Sequence, residues 1–295
     1  MADANAQAEI RGIDIDKLAK GFADEELVLK KFVQVTKTSA REIRWYKKTA
    51  GFLDSVDTTG ITASQIANTS SKSRPVVVEQ SWTRTSSYVR KYFVESPYLS
   101  DEDIKDSDID ILATNVKDLV KAVANQVDIR IYAVLSDALG TGGNANTAAA
   151  TADGWDDAVT GNPIADINYA KEQIRTYRYN PEGAVLYIHP GDHTSLLDYL
   201  INVKGSSIPS FSSERVKDGV VMELLGCKVV VSVNASEDTA VLFVPQEACT
   251  WKQFTPLTTA VIKDPGIGTK IRAWEEGEAI LVNQKAVAVI TDIKI

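Results

Sequence analysis

The chain has 295 residues, 44% hydrophobic and 24% charged, and its 40 acidic against 32 basic side chains give a formal charge of -8. That balance fits a globular protein with a sizeable core. It excludes a surface that grips nucleic acid all over, though not one basic face. No apolar run approaches the roughly 20 residues that span a bilayer, and no apolar signal-peptide core follows Met1. The two cysteines, Cys227 and Cys249, make no disulfide framework and read as buried thiols of a reducing cytosol.

Residues 1–24 are small, polar and weakly patterned, the signature of an arm that a partner orders. Acidic Asp24, Glu25 and Glu26 then precede a basic stretch that ends in Lys47 and Lys48, an order that suits a helix macrodipole and predicts a basic helix here. Its cations are Lys30, Lys31, Lys37, Arg41, Arg44, Lys47 and Lys48, with Glu42 as the lone acid. Such a run is either a solvated face or a surface for a polyanion.

Residues 52–96 read as a long β-hairpin. The Ser/Thr-rich stretch 58–74 forms its tip, and 76–78 and 82–94 are strand, the latter alternating Tyr88, Arg90, Tyr92 and Val94 with Val89, Lys91 and Phe93. A lone hairpin is marginal in water, so this one is expected to lie on something else.

The clearest helix spans 104–139. Ser100 followed by Asp101 to Asp103 marks its start, apolar residues recur at three and four from Ile109 to Leu135, and Gly140 ends it. Its length would be about 50 Å. A small-residue linker is expected over 140–162, then helices at 163–179 and 191–203 around a strand at 184–188. The remainder reads as short strands at 220–225, 228–233, 240–244, 250–254, 260–263, 270–276, 279–282 and 286–293.

The motifs offer little chemistry. His189-Pro190-Gly191-Asp192-His193 holds both histidines, but Pro190-Gly191 places His189 at the end of a strand and His193 in the first turn of a helix, so the two rings need not share a face. Asp192 reads as an N-terminal helix acid. Gly140-Thr141-Gly142-Gly143 follows a helix and lacks the closing Lys-Ser/Thr of a phosphate loop. No GxSxG is present, and paired acids such as Glu275-Glu276 or Asp156-Asp157 are too common to count. No catalytic residue, cofactor or metal ligand is therefore assigned. The one enzymatic alternative is a metal-dependent hydrolase using His189, Asp192 and His193.

The order of elements carries more than any motif. The long helix, the run Ala184-Val185-Leu186-Tyr187-Ile188-His189-Pro190 leading to Leu196-Leu197, the strand Leu225-Gly226-Cys227-Lys228-Val229-Val230-Val231-Ser232, and the closing stretch from Lys270 to Ile290 occur in that order. Together they resemble the HK97-fold major capsid proteins of tailed double-stranded DNA phages. Lys228 and Gln284-Lys285 stand where that family usually has Pro.

The resemblance implies an α+β, HK97-like fold. It implies an N-arm (1–50), an extended hairpin or E-loop (51–97), a P-domain with a long spine helix (98–141) and strands (246–281), and an A-domain with a central mixed sheet (142–245), to which 282–295 returns. It implies a non-enzymatic shell protein that self-assembles through hexamers and pentamers into an icosahedral capsid around double-stranded DNA, with scaffolding, portal and decoration proteins as partners and no membrane. Such a protein is assembled in the host cytoplasm and resides in the virion capsid. With no long segment ahead of the arm, a separate scaffold is expected. Lys30, Lys31, Lys37, Arg41, Arg44, Lys47 and Lys48 would face the interior, towards DNA or scaffold, and Lys72, Arg74, Trp82 and Arg84 would make intersubunit E-loop contacts. An encapsulin-like compartment shell is the alternative within the same fold.

Overall fold

A computed structural model describes residues 29–50, 71–72, 74, 81–100, 102, 104, 111–136, 146–149, 154–157, 160–203 and 223–294. The predicted polar arm at 1–24, the predicted hairpin tip apart from residues 71, 72 and 74, the predicted strand at 76–78 and the helix ends near 105–110 and 137–139 lie outside them. The chain divides into two compact units. The larger is drawn from Val28–Arg90, Asp128–Phe254 and Gly277–Ile295, the smaller from Lys91–Val127 and Thr255–Glu276.

The core of the larger unit is a six-stranded mixed sheet. Its strands are β5 (Asn146–Ala149), β6 (Val185–Ile188), β7 (Glu223–Leu224), β8 (Cys227–Val231), β9 (Thr239–Phe243) and β12 (Val287–Thr291), in the order β5-β12-β9-β6-β8-β7. The central strands read as unbroken apolar runs, as strands covered on both faces should. Leu186, Ile188, Leu242, Phe243 and Ile290 are all fully buried. Helix α3 (Pro163–Thr176) packs on β12. It starts at Pro163 because the Asn162 side chain accepts from the Ala165 amide, and it buries Ile167, Ala170 and Ile174. Helix α4 (Pro190–Asp198) follows β6 and widens into a π-helical turn at Tyr199–Val203. β7 and β8 are joined by Leu225 and Gly226, both left-handed at φ 53° and 73°, the two-residue turn whose twist suits a hairpin.

The second sheet has the order β1-β10-β11-β4, with β1 at Gln34–Lys37, β4 at Arg90–Glu95, β10 at Cys249–Asp264 and β11 at Gly268–Leu281. Within the larger unit β1 runs parallel to β10, Gln34 opposite Thr250. Within the smaller, Ser96 and Ile271 exchange hydrogen bonds across the end of β4. The long helix is α2 (Ile111–Leu135), with Glu102 and Ile104 also helical. At 25 residues it is about 37 Å long.

Four expectations are corrected. The basic helix ending at Lys48 does not form. Among the described residues of this stretch only α1 (Leu29–Phe32) is helical, and the chain then enters β1 and β2 (Glu42–Ala50). Val33, Val35, Thr36, Thr38, Ile43, Trp45 and Tyr46 favour extended backbone, and that preference outweighs the charge order. The hairpin pairs β2 with β3 (Ser81–Tyr88), so its first arm lies within the stretch expected to be N-arm. The predicted linker contains β5, which is parallel to β12. The predicted breaks within 250–263 and within 270–282 are absent. β11 passes through Gly277 because a Cβ there would meet the Trp251 ring at 2.4 Å, so the glycine serves packing and not a turn.

Candidate functional site

The segment 29–37 is anchored. The Asp128 carboxylate, buried on α2, accepts from the Leu29 and Lys30 amides at 3.3 Å each. This satisfies two orphan donors at the start of α1. Leu29 and Val33 are buried, and Gln246 donates to the Phe32 and Lys31 carbonyls. Lys30 lies 6.0 Å from the Trp251 ring centroid and Arg41 lies 4.7 Å from that of Phe254, distances at which a cation and an aromatic face attract. The predicted basic residues thus occupy α1 (Lys30, Lys31), β1 (Lys37), a connection (Arg41) and β2 (Arg44, Lys47, Lys48) rather than one helix face.

The hairpin β2–β3 pairs Glu42 with Tyr88, Arg44 with Ser86 and Tyr46 with Arg84. These six share one face, because strand side chains alternate, and that face is outward: Tyr46 is 63% and Tyr88 67% exposed. Arg44 holds Glu42 at 2.7 and 2.9 Å, and this bond keeps the Glu42 carboxyl below its usual pKa. The opposite face carries Ile43, which is buried, and Trp45, whose buried Nε1 has no acceptor. Of the predicted intersubunit residues, Trp82 and Arg84 fall in β3, and Lys72 and Arg74, within the predicted tip, are exposed. Sequence reading missed Tyr46 and Tyr88 as surface aromatics. The alternation Glu-Ile-Arg-Trp-Tyr over 42–46 was the available signal.

Three contacts lie at the base of the hairpin. The Val89 amide donates to the Arg41 carbonyl at 2.9 Å. The Arg41 guanidinium sits on Phe254. Glu278 on β11, 1% exposed, takes Arg130 of α2 on one carboxylate oxygen and Arg90, at 3.2 Å, on the other.

In the smaller unit, Glu95 pairs with Lys270 at 2.9 Å and with Arg272. Hydrogen bonds from these two cations, Lys270 first, hold the Glu95 carboxyl below its usual range. Lys270 lies 4.0 Å from the Tyr98 ring centroid, and Phe93 stacks tilted against Trp274 at 6.3 Å.

The histidine turn is a structural junction. His189 caps α4, its Nδ1 accepting from the Gly191 amide at 3.2 Å, and it lies 3.7 Å from Glu237. Burial raises the Asp192 pKa and lowers that of His193. With His189 Nδ1 engaged by the cap, the turn does not present three converging ligands, and no group of three or more metal-ligating side chains occurs among the described residues. Cys227 and Cys249 are free and buried, and burial pushes the Cys249 thiol up to about 12. Neither is a nucleophile at neutral pH.

A family profile described as "Phage capsid protein" matches residues 98–290. Among solved structures, the capsid of the cyanophage P-SCSP1u is similar at TM-score 0.66 and 12% identity, covering 96% of this chain and 94% of that one. The bacteriophage PhiM1 mature capsid is similar at 0.63 and 13%, covering 93% and 89%. The virus-like particle from Pyrococcus furiosus is similar at 0.57 and 15%, covering 89% and 91%. No curated protein sequence matches the chain.

Proposed function

Because the chain belongs to the phage capsid protein family, with the HK97-type fold and a structural rather than enzymatic role, we propose that its copies assemble through hexamers and pentamers into an icosahedral shell around double-stranded DNA. The observation that carries this reading is the family match across 98–290, joined to a fold shared over nine-tenths of the chain with phage capsids. The match favours neither the encapsulin-like compartment nor the hydrolase.

In this reading β2–β3 is the E-loop. It is a hairpin whose outward face, Tyr46, Tyr88, Arg44 and Arg84, is built to lie on a neighbouring subunit together with Lys72, Arg74 and Trp82. The smaller unit with α2 corresponds to the P-domain, and the six-stranded sheet to the A-domain. Large apolar side chains left in water cost free energy that burial between copies recovers, and a closed shell multiplies many weak contacts. The net charge of -8 keeps free subunits apart until assembly. Lys30, Lys31, Lys37, Arg41, Arg44, Lys47 and Lys48 are the interior cations that meet DNA or scaffold, and the shell forms in the host cytoplasm with separate scaffolding, portal and decoration proteins.

Expression with and without the neighbouring genes, followed by electron microscopy, tests the reading. Closed shells or six- and five-fold capsomers are expected; a stable monomer under every condition overturns it. Neutralising Arg41, Arg44, Lys47 and Lys48 together is expected to lower DNA packaging. Unchanged packaging removes the interior assignment and leaves the shell.

A further inference from the structure

The sheet of the smaller unit has two unlike edges. On one, β4 carries Lys91 and Glu95, charges of the kind that discourage a further strand. On the other, residues 257–262 of β10 read Leu-Thr-Thr-Ala-Val-Ile and carry no charge. β1 pairs only with Thr250 to Gln253, so among the described residues 255–264 have β11 on one side and no strand on the other. Val261 is 58% exposed there.

Which backbone groups meet the open side follows from the alternation. The Thr269 N–H and C=O both bond Leu99, and those of Ile271 both bond Ser96, so these two residues turn towards the β4 side. Lys270, Arg272 and Trp274 therefore turn their backbone groups towards β10. Their side chains lie on the half-exposed face, whereas Thr269, Ile271 and Ala273 are buried. Residues that bond across an antiparallel ladder share a face, and the exposed face of β10 is Thr259, Val261 and Lys263. These three bond β11, which leaves the N–H and C=O of Thr258, Ala260 and Ile262 facing outward.

That outward set is symmetric about Ala260. Laid antiparallel on a second copy of itself about that residue, Ala260 meets the second copy's Ala260 and Thr258 meets its Ile262. Every outward donor of the three then finds an outward acceptor. The ends also match. Pro256 has no N–H to give, and it falls opposite Asp264, whose carbonyl already accepts from the Ile267 amide at 3.1 Å. On the exposed face Val261 lies beside the second copy's Thr259, and Lys263 beside its Leu257, so no like charges oppose each other.

We propose that the open edge of β10 is a two-fold contact between copies of this chain, in which residues 256–264 pair antiparallel about Ala260 and join two four-stranded sheets into one. It rests on the capsid reading only for its use: rings arise from head-to-tail contacts, and a self-complementary contact is the second kind that can join ring to ring.

The test uses full-length chains carrying Thr259→Cys or Val261→Cys, both at exposed positions. Cys227 and Cys249 are buried and stay out of the reaction. The two chains are assembled together or separately, oxidised mildly and run on a non-reducing gel. The mixture is expected to give a disulfide dimer, because 259 and 261 face each other as a non-hydrogen-bonded pair about 4.5 Å apart at Cα. Each chain alone is expected to give none, since like positions are then diagonal, about 7–8 Å apart and beyond disulfide reach. No dimer in the mixture, or an equal dimer from either chain alone, overturns the pairing. In the unmodified chain, amide exchange at Thr258, Ala260 and Ile262 is expected to slow at least about tenfold on assembly, and unchanged exchange also overturns it. Slowed exchange without the mixed dimer would mean that a different strand holds the edge, which overturns self-pairing as well. Electron microscopy of the unmodified chain scores shells separately. A mixed dimer without rings or shells sinks the capsid reading and keeps the contact, whereas shells without the mixed dimer do the reverse.

Discussion

The six-stranded sheet and the hairpin β2–β3 solve the burial of apolar side chains in opposite ways. In the sheet, β6 is buried at all four positions, and β9 and β12 at four of five each. Everything these strands need is supplied by the same chain. The hairpin instead turns Tyr46 and Tyr88 outward and leaves the Trp45 donor without an acceptor. In the reading proposed above, one region is finished by folding and the other by assembly. Substitutions in the first should therefore register as lost stability, and substitutions in the second as lost association.

The largest expected effect lies in the sheet. Phe243→Ala empties a fully buried site on β9 between β12 and β6 and should cost about 3–5 kcal/mol, read as a shift of the denaturant midpoint. Next comes Gly277→Ala, where the added methyl would lie 2.4 Å from the buried Trp251 ring. Overpacking of this kind costs about 1–3 kcal/mol. A tolerated Gly277→Ala would mean that β11 can shift there, which the close contact argues against.

Asp192 gives a pH-dependent and intermediate effect. Burial raises its pKa above 3.8, so the folded state holds the proton more tightly than the unfolded chain. The stability tied to that proton is complete below pH 3.8 and is lost as pH rises through the raised folded value. Asp192→Asn should accordingly gain about 1 kcal/mol at pH 7, and thermal melts across pH should show the gain vanish in acid. His193 acts in the other direction. Burial lowers its pKa from 6.5, so the stability of the neutral folded ring is lost as pH falls below that value.

A smaller gain is expected from Leu225→Asn. Leu225 is left-handed at φ 53° beside Gly226, and Asn-Gly is the preferred pair for that turn. Its carbonyl accepts from the Lys171 ammonium at 2.6 Å, a backbone contact that the substitution keeps. A gain of about 0.5 kcal/mol follows because the short polar side chain of Asn hydrogen-bonds locally and so tolerates the left-handed backbone, measured by chemical denaturation.

How far these features could be read beforehand depended on whether their cause was local. The apolar runs of β6, β9 and β12 and the Asn162-Pro163 start of α3 announce themselves within a few residues, and each lies within a residue or two of its expected position. The basic stretch was misread because its charge order mimics a helix dipole, whereas its β-branched and aromatic residues, and the docking of β1 on Thr250 to Gln253, decided the outcome. β5 has no apolar pattern at all and is a strand only because β12 offers it an edge. Gly277 looked like punctuation, and its reason, the ring of Trp251, lies 26 positions away. The Arg130–Glu278 pair spans 148 residues and the Asp128 cap of α1 spans 98 and 99. An acid inside a strand shows that a partner is needed without showing which.

The smallest expected effect on folding tests the comparison most sharply. Tyr46 and Tyr88 lie on one outward face of the hairpin, and neither contributes a buried contact that the isolated chain needs. Replacing both by Ser should change unfolding free energy by no more than about 0.5 kcal/mol, as expected for exposed sites. If the face is meant for a neighbour, the same change removes two large aromatic anchors from an interface repeated at every copy, and a small loss per contact multiplies across a closed shell. Particle yield by sedimentation should collapse while the melting temperature holds. Normal shells from the double variant would place the anchoring of the hairpin on its other face, at Ile43 and Trp45. A matching loss of stability would mean that the hairpin is completed within its own chain, and the contrast with the six-stranded sheet would disappear.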